Sequence, residues 1–302
     1  MNKLMRKLSI SILAVVFAVV AMGATTFAWF TLTNTAKLDQ FTVEVTTEEG
    51  VELSMDQTNW SSVITPTQFT AGLLAQNVTK PALTAVTTID GTDGSFKTLL
   101  DLTSAGVATF DDATAGVDYF EFTIYIRTTT QNQPIYLSNA NTDIEGTAIN
   151  WTADKGFTPS TGVAVNAGGS LTVNPEDAVR MAVEGTAIHV FELPGGGTNT
   201  SGQGFSWTKG ALNYYASKKG YANPTDPDGD ASDHATTATV CPLGTAYTTA
   251  VAQTGSVAAS GYYTTSVTVR IWLDGWDQEC YNAIFGGVLN VKIGFTTDSS
   301  AA

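Results

Sequence analysis

Between Val117 and Arg127 the chain alternates with period two: Phe120, Phe122, Ile124 and Ile126 fall on one face, Tyr119, Glu121, Thr123 and Tyr125 on the other. A helix turns about 100° per residue and would scatter these apolar side chains round its circumference, whereas a strand puts alternate residues on opposite faces of a sheet. One strongly apolar face implies a second layer packed against it.

The same pattern recurs along the chain. Phe41, Val43 and Val45 share a face, Glu48-Glu49-Gly50 makes a turn, and Val51, Leu53 and Met55 repeat the alternation, which reads as a hairpin. Val179-Met181-Val183 and Ala187-His189-Phe191-Leu193 form a second hairpin about Glu184-Gly185-Thr186, closed by Pro194-Gly195-Gly196-Gly197. Val267, Val269, Ile271 and Leu273 and then Leu289, Val291, Ile293 and Phe295 give the last two strands, with Gly286-Gly287 turning the chain into the final one. Helical signals are few: short helices are expected at Ala211–Lys219 and Phe96–Leu102. Segments 195–204 and 221–234, rich in Gly, Asn and Asp, are expected as loops. Together these features predict an all-β, jelly-roll-like antiparallel β-sandwich with long loops, one elaborated domain over residues 41–302.

An export signal precedes it. Lys3, Arg6 and Lys7 are followed by an almost unbroken apolar run from Ile10 to Met22 and by the small residues Gly23, Ala24 and Ala28. That run falls short of the ~20 residues a bilayer span needs, so residues 1–28 read as a cleavable signal peptide and the mature protein as secreted, extracellular or at the cell surface, with membrane contact only during export. The full chain has 14 basic and 28 acidic residues; loss of three basic groups and no acidic one takes the net charge from −14 to −17. So acidic a surface is repelled by nucleic-acid phosphates and attracts divalent cations, Ca²⁺ first among them.

Four carboxylates, Asp226, Asp228, Asp230 and Asp233, crowd into eight residues and make a candidate Ca²⁺ loop, although the spacing is not that of an EF-hand: Gly229 stands fourth and no glutamate closes the loop. A solvated acidic turn is the alternative. Asp274, Asp277 and Glu279 make a weaker metal candidate beside Cys280. In an exported chain the pair Cys241 and Cys280 suggests one disulfide, whose loop would contribute about 3–4 kcal/mol. It would bring the two acidic clusters near one another. Trp272, Trp276, Tyr262, Tyr263 and Tyr281 raise a carbohydrate-binding reading against one of core and edge packing.

The junction Ala24-Thr25-Thr26-Phe27-Ala28-Trp29-Phe30-Thr31, followed by a Thr/Asn-rich segment and Phe41-Thr42-Val43, resembles the TasA/camelysin family of secreted proteins of Gram-positive bacteria. The resemblance covers about the first 45 residues. It implies cleavage after Ala28 by a dedicated signal peptidase, and a jelly-roll subunit of an extracellular fibre or biofilm matrix that self-associates. A segment near the mature N-terminus is then donated as a strand to the next subunit; here the donor is within residues 29–40, with Trp29, Phe30, Leu32 and Leu38 as its apolar anchors. The alternative is that this segment folds back on its own sheet.

Camelysin is classed with metalloproteases, so an enzyme is the rival. With only His189 and His234 and no His-Glu-x-x-His, no conventional zinc protease site can be assembled on one helix. Neither a Gly-x-Ser-x-Gly elbow nor a phosphate loop is present. The expectation is a structural subunit without catalysis, ahead of a secreted adhesin or carbohydrate-binding sandwich and of a hydrolase of unrecognised motif.

Overall fold

The period-two stretch does form a strand, and in the computed structural model it lies within the largest of three sheets, between two other strands. The structure describes residues 41–48, 50–88, 90–102, 108–192, 208–221, 240–243, 247–257 and 261–302. In chain order the first strands are β1 (Phe41–Thr47), β2 (Val51–Ser54), β3 (Val63–Ile64), β4 (Ala85–Thr88), β5 (Phe96–Leu102) and β6 (Ala108–Asp112). Then come β7 (Phe120–Thr128), β8 (Pro134–Leu137), β9 (Asp143–Gly146), β10 (Ile149–Thr152), β11 (Ser170–Val173) and β12 (Val179–Glu184). The last are β13 (Ile188–Glu192), β14 (Val240–Pro242), β15 (Ala252–Gln253), β16 (Ser256–Val257), β17 (Tyr263–Asp274) and β18 (Leu289–Thr296). Two helices join them, α1 (Pro66–Ala75) and α2 (Gly210–Lys219).

The long strand β17 is the spine of the larger sheet, whose order is β14-β13-β12-β17-β4-β5-β6, with β7 and β16 also on β17 and β2 on β7. The smaller sheet runs β15-β8-β18-β1-β3, with β9 on β18, and β10–β11 is a separate pair. Phe122, Ile124, Val267 and Val269 from the first sheet and Val43, Val45, Val291 and Ile293 from the second join one buried cluster, so the chain is all-β with a core shared by both sheets. Most pairings are antiparallel, but β1–β18, β13–β14 and β17–β4 are parallel.

The β12–β13 hairpin forms as expected, with Met181 opposite Phe191 and Val183 opposite His189. The first expected hairpin does not. β1 joins β18 and β3 in the small sheet while β2 joins β7 in the large one, so the turn at Gly50 is a corner between sheets. Both arrangements bury Val43, Val45, Val51 and Leu53, which is why alternation alone does not separate them. The final strands β17 and β18 are likewise in different sheets.

Segment 96–102 is a strand, not a helix, held between β4 and β6 with a register shift between Leu99 and Asp101. Tertiary contacts override its local preference. Phe96 stacks on Tyr119 at 4.0 Å and meets Trp272 edge-on, making with Val86, Ala182 and Val190 a second small core on the outer face of the large sheet.

Helix α1 was not anticipated, although its start is written in Thr65-Pro66-Thr67-Gln68. Thr65 and Gln68 form a reciprocal capping box, and Pro66 opens the first turn where no N–H is needed. At its end the Gln76 amide donates to the carbonyls of Met55 and Thr123, both at 2.7 Å, and its carbonyl accepts from the Thr123 N–H at 3.0 Å. The helix is thereby fixed to β7 and to the residue that follows β2. Helix α2 stands where expected and ends at Gly220, whose φ of 69° is the left-handed conformation a helix stop favours. Among the described residues no helix is long and apolar enough to cross a membrane.

Candidate functional site

The chain enters the sandwich through β1, and the two edges of that strand differ. Along one edge all seven residues pair with β18, from Phe41 opposite Leu289 to Thr47 opposite Phe295. Along the other, β3 meets only Val45 and Thr46, extended by a bond from the Thr47 N–H to the Ser62 carbonyl at 3.0 Å. Past Ile64 the partner chain turns into α1, so among the described residues Phe41–Glu44 have no strand on that side. Backbone groups left in this way are a template for another strand.

Beside this edge α1 carries apolar surface outward. Phe69 and Leu73 face the core, but Leu74 is 79% exposed. A shallow groove of about 780 Å³ is lined by Pro66, Thr70, Leu73, Leu74 and Val78. The groove is lined by α1 and the residues that follow it, with Thr67, Thr79 and Lys80 at its polar margin.

The donor residues expected to use such a surface, Trp29, Phe30, Leu32 and Leu38, and the cleavage point at Ala28, lie outside the described residues, as do Asp226, Asp228, Asp230 and Asp233. The second acidic group is described, and its carboxylates have a basic partner close by. Asp274 and Asp277 pair with the guanidinium of Arg180: Nη1 meets Asp274 and Nη2 meets Asp277 at 3.4 Å, while Nε binds Glu192 at 2.9 Å. Arg180 is 2% exposed, Asp274 0%, Asp277 1% and Glu279 9%. Among the described residues no group of three or more His, Cys, Asp or Glu side chains is set to hold a metal ion.

Burial raises the Asp277 carboxyl well above the ordinary carboxylate range, and the negative charge of Glu279 and a hydrogen bond between the two side chains add to this, against the opposing pull of Arg180. Sequence reading missed Arg180 and Glu192. Their signal was the hairpin itself, since its register sets Arg180 directly opposite Glu192.

The expected disulfide is not formed: Cys280 is a free thiol, buried in the main core, where it packs as a small apolar side chain. Burial pushes its thiol far above the ordinary range. Cys241 lies on the outermost strand β14, opposite Phe191, with β13 and β12 between it and β17. The aromatics follow the packing reading. Trp272, Trp276 and Tyr281 are buried, Trp272 completely, leaving no flat face for a sugar. Tyr262 and Tyr263 are half-buried, and Tyr262 stacks on Arg127 at 4.1 Å, with Trp60 against the same guanidinium at 4.4 Å. His189 is a buried structural residue bonded through Nδ1 to Tyr247; burial lowers its basicity.

Comparison with protein-family models, with curated proteins and with solved structures finds no match to this chain.

Proposed function

We propose that this protein is a structural subunit of an extracellular fibre or matrix, without catalysis, that assembles by addition of a strand at β1. The observation that carries this reading is the half-open edge of β1, paired throughout with β18 but with β3 only at Val45 and Thr46. The segment leading into that strand, residues 29–40, holds Trp29, Phe30, Leu32 and Leu38. Four apolar anchors in a threonine-rich stretch suit a groove such as the one along α1 in a second copy, with main-chain bonds supplying affinity and alternate side chains specificity. The jelly-roll form of the sandwich, secretion after cleavage at Ala28, and Ca²⁺ at Asp226–Asp233 belong to the same proposal.

The adhesin reading has less support, because Trp272, Trp276 and Tyr281 are enclosed. Electron microscopy of the protein beginning at Trp29 tests the proposal. Filaments are expected that disappear on deletion of residues 29–38 and that a synthetic peptide of those residues blocks. A persistent monomer in all conditions overturns it, and affinity for a glycan array would favour the adhesin.

A further inference from the structure

Strand β2 leaves its partner early. It pairs with β7 from Val51 opposite Thr128 to Ser54 opposite Tyr125, and two further residues would have set Asp56 opposite Thr123. Instead the chain turns away: Asp56 Oδ1 accepts the N–H groups of Thr58 at 2.9 Å and Asn59 at 2.8 Å, and Gln57 takes a left-handed φ of 60°. Among the described residues Glu121–Ile124 therefore have no strand on that side of β7, although β17 continues along the other. In an antiparallel ladder alternate residues turn both backbone groups to the same edge, so after Tyr125 the next to face it is Thr123.

A side chain takes the place of the strand. The Gln76 amide gives Thr123 what an opposite residue of a ladder would give: Oε1 accepts the Thr123 N–H at 3.0 Å and Nε2 donates to the Thr123 carbonyl at 2.7 Å. The other N–H of the amide donates to the Met55 carbonyl, also at 2.7 Å, and so ties the end of β2 to the same point. The end of α1 is shaped to deliver this side chain. Asn77, at φ 56°, stops the helix in the left-handed conformation, with the Val78 N–H donating to the Leu73 carbonyl at 2.8 Å. Gly72 lies so close to Met55 that a Cβ there would overlap its side chain. Phe69 completes the cover, edge-on to Phe122 at 4.8 Å.

We propose that Gln76 is an edge guard: by completing the ladder of β7 in place of a strand, it keeps the large sheet from taking a strand of a second copy of this chain at Glu121–Ile124. An open edge is recognised through main-chain groups and not through one particular sequence, so in a solution of this protein the strand that finds it is another copy's. One neutral side chain with a donor and an acceptor satisfies both groups of Thr123 and offers no edge of its own to a further strand. Strand addition at β1 concerns the other sheet, and the guard at β7 stands whether or not it occurs.

Hydrogen–deuterium exchange of the chain beginning at Trp29, at two protein concentrations about a hundredfold apart, tests this at the Thr123 amide. In the wild type that amide is expected to exchange slowly at both. In Gln76→Met, which keeps the length of the side chain without its hydrogen bonds, it should exchange at least about tenfold faster when dilute and regain protection when concentrated, as a second copy supplies the missing strand. If Gln76→Met does not fold, Gln76→Ala carries the same expectation. Ile293→Val, which weakens the other sheet, should leave Thr123 protected at both concentrations. The amides of Phe41–Glu44 report strand addition at β1 separately, so failure of either reading is visible by itself. Equal protection of Thr123 in wild type and variant overturns the proposal; so does a loss that concentration does not reverse, or the same behaviour in Ile293→Val.

Discussion

Arg180 and Arg270 are built to one plan and meet different fates. Each projects from the outer face of the large sheet, pairs with a carboxylate directly opposite on one neighbouring strand, and reaches a second diagonally on the other. For Arg180 these are Glu192 on β13 and Asp274 on β17; for Arg270 they are Glu121 on β7 and Glu184 on β12. The side chain of Arg270 is itself buried, at 4% exposed, but its partners are 28% and 40% exposed. Those of Arg180 are enclosed, and the loop after β17 adds Asp277 and Glu279. Water reaches the carboxylates that pair with Arg270, whereas those that pair with Arg180 are shut away from it. The same cross-strand motif is in one place a partly solvated brace and in the other an enclosed one that also ties down the loop after β17 through Asp277.

The comparison is most severely tested by removing the guanidinium. Arg180→Met should cost about 3–5 kcal/mol or prevent folding, because it strands several buried carboxyl groups, while Arg270→Met should cost about 1–2 kcal/mol; denaturant midpoints will separate the two. Next in size, Asp274→Asn should lose about 2–4 kcal/mol by chemical denaturation, against at most about 1 kcal/mol for Glu184→Gln, whose carboxylate is partly solvated. If these two variants are equally destabilised, burial is not what distinguishes the arginines.

Between the two sites stands Trp272, fully buried with its indole N–H unpartnered. Trp272→Phe removes that N–H and leaves a smaller ring against Phe96 and Tyr119, so the two effects oppose and the change in thermal midpoint should correspond to less than about 1.5 kcal/mol. Smallest is Lys292→Ala, which breaks an exposed pair with Glu145 at 2.8 Å on the other sheet; its denaturant midpoint should match that of the wild type in low salt and in 1 M salt alike.

What could be read from the sequence follows the range of the interactions. β7 and the β12–β13 hairpin are legible because alternation and a turn of three residues specify them locally, and α2 because its glycine stop is adjacent. The corner at Gly50 is not, since a strand that changes sheets and one that doubles back show the same apolar pattern. β5 is taken from its helical reading by Tyr119 and Trp272, neither of which is near it in the chain. In the acidic group the residue types were plain but their partner was not: Arg180 stands 97 positions before Asp277, and a guanidinium that far away turns a seeming cation site into an ion-paired one.

The parallel pairing of β1 with β18 has a consequence for the order of events in time. Partners in that ladder are 248 residues apart, so the first strand of the described chain finds its neighbour only when the last has been made. Loop closure over such a span is slow, and the long edge of β1 stays unsatisfied until the C-terminal strand arrives. The smaller sheet is therefore sealed last, and until then the N-terminal half of the fold stands open along one side.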